Sequence, residues 1–196
     1  MIFGRVVCAL IFIVSLAGTS FAATSAASLT EYHQWHDVCL KGEVKQIDVQ
    51  IEKFEQKLAV DPSDHLAKAF LGSACALRAK AGFWGPTKLK YLKRGKKYME
   101  AAVAAAPNDA RVRMVRAIAY YCIPKRFRVR PTAISDFKFL VPIAQNETSG
   151  LETRERQVIL YYASQAYAEE GIAGAAELKK QCHQLDPTSE YGKRSG

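Results

Sequence analysis

The sequence has almost nothing that reads as a β-strand. After Leu29 no run alternates apolar and polar residues over more than a few positions, which excludes sandwiches and barrels and leaves helices. There is no G-x-S-x-G elbow, no phosphate-cradling glycine loop, no H-E-x-x-H pair and no standout pair of carboxylates. The familiar signatures of hydrolases, nucleotide-binding enzymes and zinc proteases are therefore missing, and the expectation is a non-catalytic protein with no cofactor and no metal. No C-x-x-C occurs either, which removes thioredoxin-like redox chemistry and zinc knuckles. No apolar run reaches the roughly 18 residues that a membrane-crossing helix needs.

At the N-terminus a shorter apolar run, Val6 to Ala17, follows a lone Arg5 and precedes the small residues Ser20, Ala22 and Ala23. That is the layout of a secretory signal peptide over residues 1–23, cleaved after Ala22 or Ala23. Position 19 is Thr, where a lipid-anchored protein would carry cysteine. The expectation is an exported protein, periplasmic or secreted. Losing the segment removes Arg5 and lowers the net charge from +9 to +8. This basic balance suits an acidic protein or peptide, or an anionic envelope surface, and export argues against nucleic acid. Four cysteines survive cleavage, Cys39, Cys75, Cys122 and Cys182, and in an oxidising compartment they allow two disulfides in three connectivities.

From Leu29 onward apolar residues recur at helical spacing. Glycines and prolines at Gly42, Pro62, Gly82, Pro86, Pro107, Pro124, Pro131, Gly150 and Pro187 cut the chain into about eight helices. Three similar breaks, Asp61-Pro62-Ser63-Asp64, Pro107-Asn108-Asp109 and Asp186-Pro187-Thr188, fall at prolines 45 and then 80 residues apart, one unit and two units of a hairpin repeat. Leu71-Gly72 with Cys75, followed by Gly95, Met99, Ala102 and Pro107, carries the small, large, small, proline spacing of the tetratricopeptide repeat, and the chain resembles a divergent member of that family. Phe54, Leu58 and Pro62 fit a first unit, Ala117 and Tyr120 a third, and Tyr167, Ala175, Cys182 and Pro187 a fourth. Lys68 departs from the family, which often has Trp there. The resemblance implies an all-α superhelix of about four antiparallel hairpins, an α-solenoid over residues 24–188, with 189–196 as a flexible tail.

In that family the first helix of each hairpin lines a concave binding surface. This nominates Arg113, Arg116 and Tyr120 for contact with an acidic or carboxylate-ended ligand. Cys39 and Cys75 would lie at similar heights on neighbouring first helices, where a bridge is conceivable, with Cys75 to Cys122 and free thiols as rivals. Two other segments stand out. Lys125, Arg126, Arg128 and Arg130 crowd an overlong loop between prolines, suited to gripping anions or else turned outward around Phe127. Phe83 and Trp84 sit between glycines, as a binding edge or as a cap on their own hairpin. The lysines between Lys88 and Lys97 lie largely off the stripe Leu92, Gly95, Met99, Ala102, Ala106, and read as a solvated face or as a docking strip for an anionic surface. His33, His36 and Asp37 share a helix face, but no further ligand accompanies them at metal-site spacing.

Overall fold

The computed structural model describes residues 26–196; the expected signal peptide lies outside them. The described residues form α1 (Ala26–Leu40), α2 (Val44–Val60), α3 (His65–Ala81), α4 (Gly85–Ala105), α5 (Ala110–Cys122), a 3-10 turn (Lys125–Phe127), α6 (Arg130–Gln145), α7 (Thr153–Glu169), α8 (Ala175–Leu185) and α9 (Glu190–Ser195). Among them there is no strand.

Consecutive helices pair as four hairpins, α1 with α2, α3 with α4, α5 with α6 and α7 with α8. Each first helix also packs on the next first helix, α1 on α3, α3 on α5 and α5 on α7, while α2, α4, α6 and α8 make no comparable contacts with one another. The first helices thus form the inner layer of a helical repeat, and the second helices splay outside it.

The breaks anticipated at Pro62 and Pro107 are capped turns. Asp64 Oδ1 accepts the Ala67 N–H at 2.8 Å, and Asp109 Oδ1 accepts those of Arg111 and Val112 at 2.8 and 3.1 Å. Each carboxylate satisfies N-terminal donors that the helix leaves open. α4 starts at Gly85, ahead of Thr87, with Pro86 in its first turn, where a missing N–H costs nothing. Its stripe is as spaced: Leu92, Gly95, Met99, Ala102 and the capping Ala106 are buried. Gly95 lies against Gly72 of α3 so closely that a Cβ on Gly95 would stand 2.5 Å from the Gly72 carbonyl oxygen.

The expected flexible tail is instead a helix. Ser189 caps α9 by accepting the Gly192 N–H at 2.9 Å. The buried Gln157 of α7 donates to Cys182 O and Asp186 O, both at 2.9 Å, and accepts from the Ser189 hydroxyl at 2.9 Å. One side chain thereby ties α7, α8 and α9 together. Tyr191 completes the clasp, its ring 5.3 Å from that of Tyr161. A six-residue helix has no apolar period to announce it, so only these partners reveal it.

Candidate ligand groove

The inner layer carries a groove of about 500 Å³. Its wall comes from all four first helices, with His36 and Leu40 from α1, Ser73, Ala76, Leu77 and Lys80 from α3, Ile118 and Cys122 from α5, and Tyr162 from α7. The start of α4 adds Gly85, Lys88 and Leu89, and the loop after α5 adds Pro124, Arg126 and Phe127. A smaller hollow of about 130 Å³ shares His36, Leu40, Ser73, Ile118 and Tyr162 with it and continues toward His33, Asp37 and Arg154. The floor is aliphatic and the rim is basic.

The residues nominated from the family resemblance are not in this groove. Arg113 Nη1 lies 2.8 Å from Asp136 Oδ1, and Arg116 grips both oxygens of the same carboxylate at 2.7 and 2.8 Å. Asp136 is fully buried. Arg113 also donates to Pro107 O and covers the Phe139 ring at 4.3 Å. Tyr120 is buried and donates to Glu100 at 3.0 Å. These three side chains hold α5 to α6 and α4, so their expected role in ligand contact is corrected to one in helix packing. A buried carboxylate must be paired, and α5 supplies both cations.

The arginine loop divides in the same way. Lys125 Nζ pairs with Glu170 at 2.9 Å, and Arg130 pairs with Glu169 at 3.2 Å while lying over the Tyr121 ring at 4.2 Å. Both are anchors to α7. Arg128 is exposed and takes a left-handed backbone, φ 56°, which turns the chain into α6. Arg126 alone of the four reaches the groove rim, stacked on Phe127 at 5.1 Å. Neither aromatic of the α3–α4 loop caps its hairpin. Phe83 is 99% and Trp84 66% exposed. On the outer side of α4, Lys90, Lys93 and Lys97 are exposed, and Arg94 pairs with Glu55.

Among the described residues no cluster of His, Cys, Asp or Glu has an arrangement that could hold a metal ion. All four described cysteines are free thiols. Of the alternatives left open, free thiols rather than a Cys39–Cys75 bridge are found, although the two sit in one core cluster. Burial pushes both thiols up to about 12, and they serve as small core fillers. Cys122 is exposed within the groove.

His36 Nε2 and Ser73 Oγ hydrogen-bond at 2.8 Å in the wall. Burial lowers the imidazole from its ordinary 6.5 to about 4, so it is neutral at neutral pH. The unfolded chain binds a proton that the folded one refuses. Stability is therefore full above about pH 6.5 and falls as the pH drops toward about 4, by on the order of 3 kcal/mol from this residue. His36→Gln is expected to flatten that part of the stability profile, measured by urea unfolding between pH 7 and pH 4.

Sequence reasoning did not find Lys80 or the apolar floor. Leu40, Leu77 and Ile118 belong to three different helices, and their shared register on the first helices of successive hairpins was the signal that could have brought them together. Compared with known protein-family models the chain matches none, and a search of curated proteins finds no match.

Proposed function

We propose that this is an exported, non-catalytic helical-repeat binding module that holds an envelope component in the groove between its first helices. The observation that carries this is a groove of about 500 Å³ whose rim cations Lys80, Lys88 and Arg126 have no carboxylate partner among the described residues. Elsewhere most arginines of the fold are paired, and Arg78, Arg94, Arg111, Arg113, Arg116 and Arg130 all meet acids. Cations left unmatched around an apolar floor suit a ligand that brings both apolar surface and negative charge. The tetratricopeptide resemblance supports use of the inner surface, and the layout of residues 1–23 supports export.

The test uses anilinonaphthalene sulfonate, an apolar anion that fluoresces when its ring system leaves water. It is expected to bind at one site. Leu40 and Leu89 are 58% and 44% exposed, so Leu40→Glu with Leu89→Glu leaves the core untouched and puts two carboxylates in the groove. This pair is expected to weaken the dye by about tenfold or more, equivalent to 1.4 kcal/mol or more, with circular dichroism and unfolding midpoint unchanged. Dye binding that ignores the substitutions rules the groove out.

A further inference from the structure

The groove's lining limits what it can hold. Its floor is built from Leu40, Leu77, Leu89, Ile118, Ile123 and Phe127, and no asparagine or glutamine lines it. Leu77, Leu89 and Ile118 lie inside helices, where backbone donors and acceptors are already spent on one another, and Leu40 closes α1. An extended peptide laid on such a floor would leave its amides without partners, and each would carry the desolvation penalty of an unmade hydrogen bond. A hydrocarbon chain has no such groups to satisfy.

The lining also supplies the opposite chemistry. Lys80, Lys88 and Arg126 are exposed lining residues of the groove. Gly85 brings the N-terminus of α4, a 21-residue helix, to the same wall. No side chain caps that terminus, because Trp84 stands at the cap position. Its positive dipole end and the N–H groups of Gly85 and Thr87, on either side of Pro86, suit a carboxylate. The volume falls in the range of small-molecule sites. The chain's own residues 1–23 do not fit this pattern, since they carry Arg5 and no acid.

We infer that the groove binds the anion of a long-chain fatty acid, its tail on the aliphatic floor and its carboxylate held by Lys80, Lys88, Arg126 and the start of α4. This deepens the reading of the groove as the binding site and rests on it.

The experiment displaces anilinonaphthalene sulfonate from the purified protein with octanoate, dodecanoate, palmitate and methyl palmitate. Palmitate is expected to bind one to one, and dodecanoate to bind about tenfold or more tighter than octanoate, because each buried methylene adds affinity. Methyl palmitate is expected to bind about tenfold more weakly than palmitate. The exposed cations tolerate replacement, and Lys80→Gln, Lys88→Gln and Arg126→Gln together are expected to lower palmitate affinity by about tenfold or more while changing methyl palmitate less than twofold.

Equal binding of acid and ester overturns the carboxylate site. Failure of every fatty acid to displace a dye that Leu40→Glu with Leu89→Glu still expels overturns the fatty acid and leaves the groove reading standing. A dimer that those two substitutions dissociate, seen by sedimentation, assigns the groove to a second copy and overturns the inference too. A dye that ignores the substitutions removes both readings.

Discussion

Asp136→Ala is expected to destabilise the protein by about 3–5 kcal/mol, the range for removing one partner of a buried ion pair. The carboxylate has no exposed surface, and it accepts three hydrogen bonds of 2.7–2.8 Å from Arg113 and Arg116. Those arginine side chains are only 19% and 12% exposed. Without Asp136 these two α5 side chains, three residues apart, lie at the contact with α6 without the carboxylate that pairs them. Asp136→Asn should cost nearly as much, because its amide would turn a donor toward two groups that only donate. Arg116→Met should cost much less, since Arg113 still pairs with the carboxylate. The order Ala ≈ Asn ≫ Arg116→Met, read by urea unfolding, checks the assignment. A melting temperature lowered on the order of 10 °C accompanies the first two. Near-neutral behaviour of Asp136→Asn would show that geometry holds the site and charge does not.

Gly95→Val is expected to cost about 3 kcal/mol or more. Two effects oppose each other at this position. Glycine inside a helix is worse than alanine by about 1 kcal/mol, so adding a side chain helps α4 by itself. Packing decides the sign, because the new Cβ would stand 2.5 Å from Gly72 O, 3.2 Å from Ala76 N and 3.3 Å from Cys75 Cβ. Two of these are backbone atoms, which cannot swing aside, so α3 and α4 must separate. Overpacking of this kind costs about 1–3 kcal/mol for modest insertions, and a branched side chain adds to it. Gly95→Ala should lose about 1–2 kcal/mol net of the gain in propensity. Gly85 is the control: it is helical, and a Cβ there meets nothing within 4 Å. Gly85→Ala should be neutral or stabilise by about 0.5 kcal/mol. Opposite signs for one substitution in one helix, measured by chemical unfolding, would locate the cost in the interhelical contact.

Much of the architecture was legible because local rules carry it. The turns at Pro62 and Pro107 need an Asp as cap and a proline that cannot continue the preceding helix, and both are written consecutively. The stripe of α4 needs only the helical period. Gly72 and Gly95 stood at small positions of the repeat spacing, and nothing but a small residue serves at their contact.

The basic residues show where that legibility stops. Arg113, Arg116 and Arg126 look alike along the chain, each set among other arginines near apolar neighbours. Two of them are spent on Asp136, a residue 20 and more positions away, and the third stacks on Phe127 with no carboxylate partner among the described residues. Whether a charge is available depends on which carboxylate the fold brings to it, and that is a distance in space.

The sequence by itself determined the helices, their caps, the repeat spacing and the small-residue contact of α3 with α4, because each depends on neighbours within a turn or two. Tertiary structure alone decided which cations were neutralised, that residues 190–195 dock as α9 through Gln157, and that side chains from α1, α3, α5 and α7 meet in one groove. Those outcomes depend on partners tens of residues apart, and only chain folding sets their separation.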